Sequence, residues 1–189
     1  EEDKGYQATT SLSGTRLRTD LRDIAASISV ITKELMEDLA VDDLSLLAAY
    51  TLGTEVGGLN GNFSDTDVFD TSGGYVNDEV TRRNNSTPVI RVRGLSGGNS
   101  GGANRTRDYF LTGIPGDGYN IERIDFQRGP NGMLYGLGSP SGVVNEGVIK
   151  ANLRQNRTKV STRFDDYGSY RGSLDHNHVL KKDKLALRF

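Results

Sequence analysis

Residues 98–102, Gly98-Asn-Ser-Gly-Gly102, carry the Gly-x-Ser-x-Gly spacing in which a serine hydroxyl serves as a nucleophile. Such a serine needs a histidine base within hydrogen-bond reach. The histidines, His176 and His178, lie far along the chain in a strand-like stretch, and the motif sits in a Gly-rich run without the strand-to-helix turn that would aim Ser100. Ser100 therefore reads as a loop residue, and no enzyme is expected. His176 and His178 are two residues apart, hence on one face of a strand, which suits two metal ligands. No third ligand is implied, so the polar face of an amphipathic strand is the simpler reading. Asp65, Asp67 and Asp70 begin like a calcium loop, but Phe69 stands at the fifth ligand position and no Glu at the twelfth. A solvated acidic loop is favoured there over a calcium site. Gly136-Leu-Gly138-Ser-Pro-Ser-Gly142 has the wrong spacing for a dinucleotide loop, and Pro140 would interrupt the helix that must follow. With no Cys at all, disulfides, thiolate zinc sites and thiol catalysis are excluded. No cofactor is implied.

The elements that must position any site are short. The 189 residues include 24 Gly, well above average usage, and 34 % hydrophobic residues, enough for a thin core. Ser27–Thr32 alternates with period two and reads as a strand with Ile28 and Val30 on one face. Thr32 is placed to cap a short helix over 33–39, and Asp43 a second whose stripe is Leu44, Leu47 and Ala48, stopped by Gly53. Residues 57–87 form a long Gly/Asn/Asp/Ser-rich loop. Strands are expected at 88–93, 108–112 and 143–149. Residues 121–127 should begin helically and finish as a strand, with Pro130 opening one helical turn beyond. After Arg154, three alternating strands follow with short connections. The final residues alternate without a turn, so the chain is expected to be a fragment cut within an element.

Net charge is −2, made of −11 over residues 1–80 and +9 over residues 81–189. The bases of the second half are scattered along strands and do not cluster beside exposed aromatics, so nucleic acid is not an expected partner. No stretch resembles a helical membrane span, whereas membrane strands, about ten alternating residues each, would barely mark the composition.

One constellation is more specific than any of these. Ile90-Arg-Val-Arg-Gly-Leu95, Asp108-Tyr-Phe-Leu-Thr-Gly-Ile-Pro115, Ile121-Glu-Arg-Ile-Asp-Phe-Gln-Arg-Gly-Pro130, Leu134-Tyr-Gly136, Gly142-Val-Val-Asn145 and Lys150 follow in that order. In sequence and spacing they resemble the plug domain of TonB-dependent outer-membrane receptors. Residues 23–32 look like that family's early plug strand, and residues 163–175 resemble its opening barrel strands.

The resemblance implies an α+β fold: a small mixed β-sheet plug with short helices and Gly-rich loops, followed by the first strands of a transmembrane β-barrel. Residues 1–15 would be an extended lead-in, 16–152 the plug and 153–189 the truncated barrel start. It implies import of a scarce ligand, of the iron-siderophore, cobalamin or glycan class, into the periplasm. Partners would be the protein's own barrel and TonB, through a box upstream of Glu1. By the same resemblance Arg93 and Arg128 contact barrel carboxylates. The motif around them includes Gly94, Gly129, Pro130, Tyr135, Gly136, Gly142 and Asn145. Ligand-facing loops would be 57–87, 95–106 and 115–120, with Asn99, Arg105 and Tyr119 suited to a metal chelate or sugar. Residues 145–150 run one residue longer than the family's usual step, and a bulge is expected there. A stand-alone periplasmic or surface binding module is the alternative.

Overall fold

The larger sheet of the first unit is built from strands of two to eight residues and held by pairing across long sequence separations. The computed structural model describes residues 5–41, 44–56, 90–94, 104–112, 118–130 and 139–189. In chain order the strands are β1 (Thr10–Ser11), β2 (Thr19–Asp20), β3 (Ser27–Thr32), β4 (Thr54–Val56), β5 (Ile90–Val92), β6 (Asn104–Arg107), β7 (Phe110–Leu111), β8 (Ile121–Arg128), β9 (Gly142–Val148), β10 (Arg157–Phe164), β11 (Tyr170–Lys181) and β12 (Leu185–Arg188). The helices are α1 (Lys33–Asp38) and α2 (Leu44–Ala49), with one 3-10 turn at Leu21–Asp23. Neither helix is long and apolar enough to cross a membrane. The chain divides into two compact units, Glu1–Val148 and Ile149–Phe189.

The first unit is built on a five-stranded mixed sheet in the order β3-β8-β9-β6-β7, in which only β6 and β9 run parallel. Paired residues share a face, so register sorts the side chains. One face carries Ile31, Ile124, Phe126 and Val144, which join Met36, Leu44, Leu47, Ala48, Val56, Val92 and Ile121 in a single apolar cluster. Burying each large member fully stabilises by roughly 1.5–3 kcal/mol. The opposite face carries Arg123, Asp125, Gln127, Asn145 and Thr106. The mixed sheet with few short helices is the architecture expected.

Local signals placed the helices well. Thr32 caps α1, its Oγ1 accepting from the Leu35 amide at 3.4 Å. The helix closes through left-handed Ala40, with the Val41 amide bonded back to the Met36 carbonyl at 3.1 Å. Asp43, expected to cap α2, lies outside the described residues, while Gly53 takes the left-handed conformation at φ 69°.

Three expectations need correction. Residues 121–127 do not start helically: all of Ile121–Arg128 is strand. The i, i+3 spacing of Ile121 and Ile124 comes from a bulge, in which Ile121 pairs with Val148 and Arg123 with Gly147, leaving Glu122 extra and exposed. The bulge thus lies opposite the long step at 145–150, on the partner strand. The strand expected at 108–112 is a tight hairpin, with Asp108 (φ 48°) and Tyr109 (φ 68°) both left-handed between β6 and β7. In β3, as expected, Ile28 and Val30 share one face, both partly buried, while the buried apolar side chain, Ile31, lies on the other.

The second unit is one antiparallel sheet, β10-β11-β12, with a bulge between Val179 and Lys181. Its faces alternate as expected for amphipathic strands: Val160, Phe164, Tyr170, Leu174 and Leu187 on one, Lys159, Arg163, Arg171 and Asp175 on the other. Both faces are open within the unit, and Asn177 is its single buried residue.

Candidate functional site

Arg128 ends β8, and its guanidinium lies along β3. Nε donates to Ser27 Oγ at 3.0 Å, one terminal nitrogen to Ser29 Oγ at 2.8 Å and the other to the Leu52 carbonyl at 3.0 Å. All three acceptors are neutral. Register explains the placement: Ser27 and Ser29 sit on the same face as Arg128, where two small hydroxyl residues leave a shelf for it. Arg93 follows β5 in a left-handed conformation at φ 56°, its amide bonded to the Gly53 carbonyl at 2.9 Å. Gly94 continues left-handed at φ 72°. The pair of left-handed residues turns the Arg93 side chain toward Gly129, whose absent Cβ would lie 3.8 Å from an Arg93 terminal nitrogen.

The two arginines therefore form a like-charged couple. Among the described residues neither makes an ion pair. Burial holds the Arg128 guanidinium below its ordinary pKa, and the Arg93 charge lowers it further. Among the described residues no carboxylate is ion-paired with this couple. Gly142 fits the site from beneath: it pairs with Arg128 in the β8–β9 ladder at φ 121°, and a Cβ there would stand 2.0 Å from the Gln127 carbonyl oxygen. Gly129 (φ 100°) and Pro130 complete the turn that leaves β8.

Asn145 does not face the arginines. Its Oδ1 accepts from Thr106 Oγ1 at 3.0 Å and from the Tyr109 amide at 2.7 Å, so this buried side chain holds the β6–β7 hairpin to β9. Arg105, expected in a ligand-facing loop, is instead on β6, only 9 % exposed, and donates to Glu146 Oε1 at 2.7 Å. Arg107 reaches Glu146 Oε2 at 3.3 Å. Glu146, itself 1 % exposed, is thus charge-balanced by two neighbours on the parallel strand, and Arg105 is spent on structure. Tyr119 is exposed in the turn before β8. Asn99, Tyr135 and Gly136 lie outside the described residues, as do Ser100, Asp65, Asp67 and Asp70.

On the sheet's polar face the structure assembles a cluster that sequence reasoning missed. Asp125, 2 % exposed, takes two bonds from Arg123 on Oδ1, at 3.0 and 2.9 Å. Its Oδ2 takes the hydroxyls of Ser13 at 3.0 Å, Tyr109 at 3.2 Å and Ser11 at 3.4 Å. Flanked by Ile124 and Phe126, Asp125 reads in sequence as the solvent side of a strand. Only the segment folded across that face makes it interior.

In the second unit His176 and His178 stack with ring centroids 6.0 Å apart, and His176 Nδ1 shares a 2.8 Å hydrogen bond with Thr158 Oγ1. Among the described residues no group of three or more His, Cys, Asp or Glu is placed to hold a metal ion. The arrangements described fasten and recognise charge.

Comparison with known proteins agrees with this geometry. The family model "TonB-dependent Receptor Plug Domain" matches residues 20–143. The chain is 30 % identical over 171 residues to the ferrioxamine receptor of Yersinia enterocolitica, covering 85 % of this chain and 22 % of that protein. It is 28 % identical over 180 residues to the metal-pseudopaline receptor CntO of Pseudomonas aeruginosa, covering 95 % and 22 %. Among solved structures, the closed form of the Escherichia coli ferric-catecholate import receptor Fiu superposes with TM-score 0.72 at 20 % identity, over 98 % of this chain and 23 % of that one. Pseudomonas aeruginosa FpvA bound to a pyoverdine gives 0.71 at 20 % identity, over 94 % and 21 %. The chain spans about a fifth of the length of these relatives.

Proposed function

The chain belongs to the plug-domain family of TonB-dependent receptors, proteins of the bacterial outer membrane, and on that premise we propose that it is the plug of an energy-coupled importer of a metal chelate. The family is one of receptors, not of enzymes. In this reading a ligand binds above the plug, TonB acting through a box upstream of this chain shifts it, and the ligand passes to the periplasm. The ligand class we favour is a siderophore-type chelate, because the similar proteins named above are ferrioxamine, pseudopaline, ferric-catecholate and pyoverdine receptors. The residues we assign to ligand contact are Tyr119, which is exposed, and Asn99.

The observation that carries the proposal is the Arg93–Arg128 couple. Two like-charged guanidinium groups that feel each other's charge, Arg128 bonded to neutral oxygens and neither in an ion pair among the described residues, would form a socket for carboxylates supplied from outside the sheet. A barrel wall enclosing the plug is the source we assign. Residues 153–189 extend the same reading: the alternating faces of β10, β11 and β12 suit strands with lipid on one side and an aqueous lumen on the other.

The test is Arg128→Ala in the intact receptor, in outer-membrane vesicles. Losing a charge-assisted clamp should raise the rate of protease cleavage in the plug by about tenfold and reduce uptake of ferrioxamine, ferripyoverdine or a ferric catecholate, whichever the wild type takes up. Unchanged cleavage and uptake would remove Arg128 from the clamp, and a wild type that takes up none of the three would remove the siderophore assignment.

A further inference from the structure

Asn177 is 3 % exposed in a sheet whose residues are otherwise open. In the ladder it stands between Arg157 and Arg188. Its side chain is taken up by the backbone of the segment that precedes β10. Oδ1 accepts from the Asn152 amide at 2.8 Å, and Nδ2 donates to the Asn152 carbonyl at 2.9 Å and to the Gln155 carbonyl at 2.7 Å. The side-chain amide thus grips both backbone groups of one residue, as a paired strand would, and uses both of its donor hydrogens.

The rest of that segment is tied to the same sheet. Asn152 Oδ1 accepts from the Arg154 and Gln155 amides at 2.8 and 3.2 Å, which turns the chain. Asn156 Oδ1 accepts from the Val179 amide at 2.7 Å, the Leu153 carbonyl from the Asp183 amide at 3.0 Å and the Lys150 carbonyl from Arg188 at 3.0 Å. Residues 153–156 are exposed, so polar bonds and not apolar burial hold them. On the other side of Ile149, Val148 pairs with Ile121 and its amide bonds Asp108 Oδ1 at 3.3 Å. A single residue therefore separates the last fastened position of the first unit from the first fastened position of the second.

We infer that residues 150–156 are an anchor built into the second unit with Asn177 as its holding residue, and that the freedom of the chain between the units is confined to the residues around Ile149. Left free, the connection from Ile149 to Asn156 would reach up to about 26 Å. Fastened from Lys150 onward, it loses that reach. The hold is specific to an amide side chain: Asp would keep an acceptor but offer no donor, and Leu, of similar shape, would offer neither. Under the receptor reading above, the plug would then draw no slack from the chain that joins it to the barrel. The anchor itself does not depend on that reading.

Hydrogen exchange resolved to single amides, on the full-length protein, measures this directly. Asn177→Ala should speed exchange at the Asn152, Arg154 and Gln155 amides by about tenfold or more, while the paired amides of β10, β11 and β12 keep wild-type protection. Asn152→Ala should release the amides of Arg154 and Gln155 and leave the amide of position 152 slow, because Asn177 still holds it. Unchanged exchange over 152–155 in Asn177→Ala would show that the segment is held elsewhere. Faster exchange there and throughout β10–β12 together would show that no distinct anchor exists. Release of position 152 in Asn152→Ala would remove Asn177 as its holder, and that variant, which changes only the loop, remains decisive should Asn177→Ala not fold.

Discussion

The two larger sheets of this chain obey the same alternation and have opposite fates. In the five-stranded sheet one face is sealed by α1, α2 and the β4–β5 pair, and across the other Asp125 gathers Ser11, Ser13 and Tyr109. In the three-stranded sheet neither face is covered within its own unit: Val160, Phe164, Tyr170, Leu174 and Phe189 are all more than half exposed. The difference shows that apolar periodicity specifies which face will be buried without specifying what buries it. A plug carries its own cover, while the second sheet presents an apolar face of a kind that lipid would cover in the proposed barrel.

Paired substitutions test that contrast. Phe126→Ala removes a ring that is 1 % exposed and should cost about 3–5 kcal/mol, whereas Leu174→Ala, 60 % exposed in the second sheet, should change the stability of the chain in water by less than about 0.5 kcal/mol. Urea unfolding measures both, and equal costs would erase the distinction. Charge gives the next pair. Glu146→Ala strands Arg105 in the interior and should cost roughly 3–5 kcal/mol, against less than about 1 kcal/mol for Asp175→Ala, whose bidentate bond with Arg188 is only partly buried. Glycine gives a smaller one. Gly142→Ala drives a methyl into the Gln127 carbonyl at a strained φ and should cost about 1–3 kcal/mol, while Gly172→Ala meets nothing within 4 Å and should be nearly neutral.

The smallest effect is a pH dependence confined to the β10–β11 hairpin. Asp165 accepts from the Ser169 and Tyr167 amides, and these bonds hold its pKa below the ordinary carboxylate value. A depressed folded-state pKa means that the stabilisation is complete above the unfolded value, near 4, and disappears as pH falls through the folded one. Nuclear magnetic resonance of the Gly168 and Ser169 amides should show the hairpin loosening only in that acid window, and Asp165→Ala should abolish the dependence. A hairpin that loosened at neutral pH would contradict the assignment.

Much of the architecture is legible in residues read a few at a time. Thr32 announces α1 because a cap acts over three residues, and Ser27–Thr32 announces β3 because alternation needs only its own neighbours. The family itself is legible in the run from Arg128-Gly-Pro to Asn145, since those spacings combine a tight exit from β8 with a glycine that no side chain could replace at Gly142. The misreadings have a common cause. Ile121 and Ile124 look helical because a bulge in the β8–β9 ladder imitates a helix turn. Arg105 looks like a loop residue because its strand is defined by a parallel partner 39 residues away, and its charge is satisfied by Glu146 on that partner.

The sequence by itself determined the local elements, the polarity of their faces and the family, because capping, alternation and glycine-dependent turns are short-range consequences of residue type. Tertiary structure alone decided which charges would be partnered. Asp125 meets Ser11 and Ser13 across more than a hundred residues, and Arg93 comes close enough to Arg128 for their charges to interact, with neither in an ion pair among the described residues. Pairing of that kind depends on register and on which segment crosses which face. Burial then decides the outcome, since a charge taken from water must find its partner wherever the fold has placed one.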